Sequence, residues 1–162
     1  MKYIVTEDQY NRLEQELNPI LEIPSLSLFN NDWESLQKFL NKKGNPKYSI
    51  GGNLNLRNSQ IESLGNLTSV GGFLDLGNTP IESLGNLTSV VGDLNLRNSQ
   101  IESLGKLTSV GGFLNLKNTP IKSLGNLTSV GGSLNLARTP LSKKYSKKDI
   151  KNMIEVKGNI YI

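Results

Sequence analysis

The chain repeats itself every 20 residues, and this self-similarity limits its fold more than any other feature. The rows read GGNLNLRNSQIESLGNLTSV from Gly51, GGFLDLGNTPIESLGNLTSV from Gly71, VGDLNLRNSQIESLGKLTSV from Val91, GGFLNLKNTPIKSLGNLTSV from Gly111, and a shortened GGSLNLARTPL from Gly131. A fixed period of this size is the signature of a solenoid, where each row buries its apolar edge only against its neighbours. Rows one and three share RNSQ, whereas rows two and four share Phe and NTP, so the pattern reads as duplication of a two-row unit.

Each row has a physical reading. Leu54 and Leu56 alternate with Asn53, Asn55 and Arg57, the period-two pattern of a short strand with one buried face. Ile61, Leu64, Leu67 and Val70 follow at spacings of three, which predicts an irregular return path that turns one apolar side chain inward per corner. Gly65 and the Gly71-Gly72 pair fall where positive φ or a close backbone approach is expected. Stacked at about 4.8 Å, such rows give a parallel ladder with aligned Leu and Ile columns inside.

The ends read as modified rows. Val156, Ile160 and Ile162 repeat the spacing of Val70, Leu74 and Leu76, which predicts a last strand. It follows a short helix over residues 146–153, opened by a capping box of Ser146 and Asp149. At the other end, Leu26, Leu28, Asn30, Trp33 and Leu36 match the spacing of Leu54, Leu56, Asn58, Ile61 and Leu64. This predicts a degenerate row with a strand over residues 26–30 and a helix over residues 32–42. Thr6 and Gln9 form a second capping-box pattern, opening a helix to residue 17 after a strand over residues 2–5. The expected fold is a mainly β repeat solenoid of about seven short parallel strands. One continuous domain is divided into an N-terminal helical cap with the degenerate row (residues 1–49), five repeats (residues 50–141) and a basic C-terminal helix with a capping strand (residues 142–162).

The row L-x-L-x-x-[S/T]-x-I-x-x-L-G-x-L-x-x-V resembles short bacterial leucine-rich repeats of about 20 residues. The run L-T-S-V-G-G-x-L-x-L is also similar to the L domains of insulin and growth-factor receptors, over residues 50–141. The resemblance implies a right-handed parallel β-helix or leucine-rich-repeat stack. It does not carry receptor function across. The usual asparagine-ladder position holds Ser59, Thr79, Ser99, Thr119 and Thr139, with Asn58, Asn78, Asn98 and Asn118 one place earlier, and the receptor cysteines have no counterpart.

Composition narrows the chemistry. The chain has no cysteine and no histidine, which removes disulfides, thiolate nucleophiles and the commonest general base and metal ligand. The expectation is a non-enzymatic protein with no cofactor and no metal. No apolar run reaches the roughly 18 residues needed to span a bilayer, and the N-terminus does not read as a secretory signal. The expected location is cytoplasmic, without membrane association.

Three surfaces are candidates for function. The outward strand columns read Asn53, Phe73, Asp93, Phe113, Ser133; then Asn55, Asp75, Asn95, Asn115, Asn135; then Arg57, Gly77, Arg97, Lys117, Ala137. Exposed phenylalanine beside arginine and lysine suits a protein interface, and Phe73, Asp75, Asn95, Arg97, Phe113, Asn115 and Lys117 form the expected partner-binding set. The competing reading is an amide ladder with the rings covering their neighbours. A second column, Glu62, Glu82 and Glu102 ending in Lys122, reads as a solvated stripe rather than a cation site. Third, residues 142–157 hold six lysines against Asp149 and Glu155, which accounts for the net charge of +4. Lys143, Lys144, Lys147, Lys148 and Lys151 would meet a phosphate backbone or an acidic partner, or form only a solvated cap. Asn66, Asn86 and Asn126 head glycosylation sequons that read as by-products of the repeat.

The leading expectation is a protein-interaction module that holds a macromolecular partner on its strand face, as a monomer or weak homo-oligomer. A small phage or mobile-element protein that inhibits a host factor is one form of it. Self-assembly into an accessory structure and nucleic-acid binding through the lysine cluster are the alternatives.

Overall fold

The structure is a computed structural model that describes residues 6–8 and 19–162. Of the helix expected over residues 6–17, Glu7 and Asp8 are helical; its remainder and the expected strand over residues 2–5 lie outside the described residues. Two strands, β1 (Leu21–Ile23) and β2 (Tyr48–Ile50), come from the N-terminal region. The rows then supply strands in pairs: β3 (Leu54–Asn55) with β4 (Leu67–Val70), β5 (Leu74–Asp75) with β6 (Ser89–Val90), and β7 (Leu94–Asn95) with β8 (Ser109–Val110). Next come β9 (Leu114–Asn115) with β10 (Ser129–Val130), β11 (Leu134–Asn135), β12 (Glu155–Val156) and β13 (Ile160–Tyr161). All pairings are parallel, in a seven-stranded sheet β1-β2-β4-β6-β8-β10-β12 and a six-stranded sheet β3-β5-β7-β9-β11-β13. The fold is a mainly β solenoid.

The ladder expected from Leu54 and its equivalents has six strands rather than seven, and a second ladder of seven strands joins it. The return path is irregular only through Ile61 to Asn66; Leu67–Val70 and its successors pair in register, Val70 with Val90 and Val90 with Val110. The T-S-V step suits an extended chain because β-branched residues favour it. Spacing by three concealed this, since only the last few residues of each return are straight.

Between the sheets lies an aliphatic core. Leu74, Leu94 and Leu114, Leu76, Leu96 and Leu116, and Ile81, Ile101 and Ile121 are all fully buried. The Val70 and Leu67 columns close it from the other sheet. At the corner after each Leu64 equivalent, Gly65, Gly85, Gly105 and Gly125 adopt φ of 56 to 59°, a conformation glycine enters without a Cβ penalty.

The N-terminal row departs from expectation. Residues 26–30 do not form a strand: Leu26–Phe29 is a 3-10 helix. Ser25 caps it by accepting from Ser27 N–H, and Asn30 and Asn31 turn to φ of 55 and 58°. Side-chain capping of this kind offers the backbone an alternative to a ladder. The corner is also one residue shorter here, with Ile23 followed by Leu26, where Val70 is followed by Leu74. The row's strand is instead β1, which pairs Ile23 with Ile50 in the larger sheet. Helix α1 (Trp33–Lys42) follows, capped by Asp32. Two hydrogen bonds from Ser35 hold the Asp32 carboxyl below the usual carboxylate range. The α1 face is tied to row one through buried Tyr48, whose hydroxyl donates to Leu64 O at 2.8 Å and accepts from Gln37 Nε2 at 3.2 Å.

At the C-terminal end, the expected capping box is present: Ser146 Oγ accepts from Asp149 N–H, and Asp149 accepts from Ser146 N–H, opening α3 (Lys147–Met153). A further helix, α2 (Pro140–Lys144), was not anticipated. Its signals were in the sequence: Thr139 as N-cap and Pro140 at the first helical position. No helix among the described residues is long and apolar enough to cross a membrane.

Candidate functional site

The outward columns of the smaller sheet carry structural work and an opening. In the middle column, Asn55, Asp75, Asn95, Asn115 and Asn135 each accept, through Oδ1, the N–H two residues ahead, at 2.8 to 3.2 Å. These side chains fix the turn that follows each strand. Among the described residues, the only side-chain hydrogen bond between members of this column is Asn95 Nδ2 donating to Asp75 Oδ1 at 2.9 Å. A continuous amide ladder exists one corner later, where Asn78 Nδ2 donates to Asn58, Asn98 to Asn78 and Asn118 to Asn98 at 2.7 to 3.0 Å. Those asparagines occupy φ of 58 to 59°.

The first column alternates in character. Asn53 Oδ1 accepts the N–H of Phe73 at 3.1 Å, Asp93 Oδ1 that of Phe113 at 2.7 Å, and Ser133 Oγ that of Asn159 at 3.0 Å. Odd rows thus reach forward to the next row's backbone, and even rows present a ring instead. A Cβ at Gly112 would fall on Asp93 Oδ1, so the second glycine of the pair leaves room for this reach.

Phe73 and Phe113 flank the rung that carries Asp93. Together with Leu74, Asp75, Leu94, Asn95 and Asn115 they line a cleft of about 230 Å³. This lies below the roughly 300–1,000 Å³ of pockets that enclose a whole ligand, and it suits one inserted side chain. Of the expected partner-binding set, the structure brings Phe73, Asp75, Asn95, Phe113 and Asn115 to this cleft; Arg97 and Lys117 are not part of its lining. Arg57 approaches Asp75 at 4.0 Å, while Arg97 and Lys117 make no ion pair with a described residue. Asp93 was absent from the expected set. Its signal was legible: Asp75 and Asp93 are the only acids in the two columns.

The remaining candidates take plain structural places. Glu62 and Glu82 are exposed, and Glu102 pairs with Lys122 at 2.7 Å. No group of three or more acidic side chains is placed to hold a metal ion among the described residues. Lys143 and Lys144 lie on α2, and Lys147, Lys148 and Lys151 on α3, all exposed. The α3 lysines border a hollow of about 410 Å³ with Gly158, Asn159, Ile160 and Tyr161. Two sequon asparagines are engaged in the stack, Asn66 donating to Asn45 O at 2.7 Å and Asn86 to Asn66 Oδ1 at 3.1 Å. Comparison with protein-family models, with curated proteins and with solved structures finds no match for this chain.

Proposed function

We propose that this chain is a non-enzymatic interaction module of leucine-rich-repeat type, holding a protein partner on the outward face of the smaller sheet. The observation that carries the reading is the cleft between Phe73 and Phe113. Phe73 is 37% exposed on a rigid ladder. A partly exposed aromatic side chain held in one place loses little conformational freedom when it is covered, which is the property of interface anchors. The polar side chains around it already spend one acceptor on their own backbone, so the face is ordered before any partner arrives. The absence of histidine and cysteine favours binding over catalysis as the reading.

The test is capture of a partner by the intact chain and by a Phe73→Ala/Phe113→Ala double variant. The reading expects the variant to lose the partner while it stays folded. Retention of the partner by the folded variant would reject this face. A second reading, contact with a polyanion, rests on the three lysines gathered with Tyr161 around the C-terminal hollow. It expects affinity for nucleic acid that falls steeply with salt, and a flat response would remove it.

A further inference from the structure

Two acids line the cleft, Asp75 with Arg57 at 4.0 Å and Asp93 with no such partner among the described residues, and neither backbone task calls for a charge. At the rung of Asp93 the backbone needs an acceptor for the next row's N–H, and Asn53 meets that need with a neutral amide and Ser133 with a hydroxyl. At the rung of Asp75 the turn needs an acceptor two residues back, and Asn55, Asn95, Asn115 and Asn135 all supply it without charge. A carboxylate shortens these bonds, to 2.7 Å at Asp93 and 2.8 Å at Asp75 against 3.0–3.2 Å in the other rows, but neither role requires a charge. Yet the two columns hold acids at these two rungs alone, and both acids line the same cleft as Phe73 and Phe113. The lining contains no lysine or arginine. Asp93 makes no ion pair with a described residue.

We infer that the cleft receives a basic side chain, an arginine or lysine of the partner protein, between the two phenylalanine rings and against Asp93. The inference rests on the interaction reading above and names the chemistry of its anchor. Phe73 and Phe113 stand two rungs apart, about 10 Å at roughly 4.8 Å per rung. A cation at the intervening rung stands one rung, about 5 Å along the stack, from each phenylalanine position, a spacing comparable to the roughly 6 Å over which an aromatic face attracts a positive charge. Asp93 occupies the intervening rung and supplies the counter-charge. Asp75 lines the same cleft, with its charge shared with Arg57 at 4.0 Å. The volume of about 230 Å³ fits one long side chain rather than a folded segment. An apolar anchor of equal length would leave the Asp93 carboxylate beside an uncharged group, so the cleft discriminates by charge as well as by shape.

The test is an NMR titration of the ¹⁵N-labelled full chain at low ionic strength with four capped pentapeptides. Each has glycine at the other positions, and the central residue is arginine, lysine, norleucine or glutamate. The arginine and lysine peptides are expected to shift the amides of Phe73, Asp93 and Phe113, with the norleucine and glutamate peptides at least about tenfold weaker. Two exposed cation–π contacts and one exposed ion pair together account for about that ratio. Asp93→Asn keeps the Oδ1 acceptor for Phe113 N–H and so keeps the fold, as Asn53 does two rows earlier. It is expected to remove about two- to fivefold of the arginine-peptide affinity, the share of the exposed ion pair, while the amides of the other sheet stay in place. Equal binding of the norleucine peptide, or an unchanged affinity in Asp93→Asn, overturns the charge-selective anchor and leaves the interaction face standing. No shift at these three amides with any peptide also overturns it. Loss of the interaction reading shows separately, as partner capture that survives the Phe73→Ala/Phe113→Ala change.

Discussion

On the face built by β4, β6, β8 and β10, every row presents the same outward residues. Thr68, Thr88, Thr108 and Thr128 each donate their hydroxyl to the carbonyl of the row before, at 2.9 to 3.0 Å. Ser69, Ser89, Ser109 and Ser129 stand in register beside them. On the face built by β3, β5, β7, β9 and β11, the outward columns change from row to row: the middle column keeps one backbone task throughout, whereas in the first column odd rows accept the next row's N–H and even rows present a ring. Asparagine, aspartate and serine all serve as the acceptor for the following row. One sheet therefore spends its outward side chains on cohesion, with one residue type per task. The other leaves the choice of residue open, and its choices gather aromatic rings and carboxylates around one cleft. The difference teaches where function has room within a copied scaffold.

Disruption of what both faces share gives the largest effect. Leu94 is fully buried between the sheets, and Leu94→Ala is expected to cost about 3 kcal/mol in denaturant unfolding, from lost burial and the cavity left behind. A cost below about 1 kcal/mol would mean the two sheets do not share one packed core. Next comes Gly125, at φ 58° with the place of a Cβ only 2.5 Å from Gly105 O. Gly125→Ala is expected to destabilise by about 2 kcal/mol in the same assay, from left-handed strain plus the forced shift of the row beneath. Indifference to this change would show that the corner between the faces is not fixed by its glycine.

Smaller effects separate the rows and faces themselves. Thr79, Thr119 and Thr139 donate to the leucine carbonyl three residues back at 2.7 Å, whereas Ser99 Oγ is buried without a partner. Ser99→Thr restores the side chain used by its neighbours and adds a buried methyl, so stability is expected to rise by about 1 kcal/mol. A fall would indicate that row three is packed differently. The Phe73→Ala/Phe113→Ala variant, which removes two half-buried rings, is expected to cost about 1 kcal/mol per site and to stay folded. The Thr88→Val/Thr108→Val variant on the other sheet loses two exposed hydrogen bonds, each contributing about 0.5–1 kcal/mol, and leaves binding intact. A reversal of those two profiles would exchange the roles of the faces.

Acid titration gives the smallest expected change, and it concerns only the caps. Hydrogen bonds from Ser146 hold the Asp149 carboxyl below its ordinary value of 3.8, as those from Ser35 do for Asp32. The fold thus favours the charged form. Its contribution is present above pH 3.8 and is lost as pH falls through the lowered folded value. Asp149→Ala is expected to flatten the acid limb of the unfolding curve slightly, and an unaltered limb would remove this cap from the account.

Much of this was legible in the sequence because a repeat states its rule several times. The leucine alternation located β3 and its successors, Ser146 and Asp149 marked the C-terminal helix, and Asp32 preceded the N-terminal one. What escaped was short or singular. Two-residue strands such as Ser89–Val90 give no periodicity of their own and are held by their neighbours. Leu26–Phe29 copied the spacing of a row without its corner, and local capping by Ser25 and Asn30 decided its shape. The aromatic pair was visible from composition and spacing. The acid at Asp93 was visible too, as one of two in the outward columns, but its backbone task was not, because the bond to Phe113 N–H exists only once the rows are stacked, as Asn53 bonds Phe73 N–H.

The claim that function lies on one sheet meets its most direct test in paired partner capture. The parent chain, Phe73→Ala/Phe113→Ala and Thr88→Val/Thr108→Val are compared at equal concentration, with thermal unfolding of each recorded alongside. The account predicts that only the phenylalanine variant releases the partner, while all three unfold as single cooperative transitions. Release by the threonine variant, or retention by a folded phenylalanine variant, would contradict it.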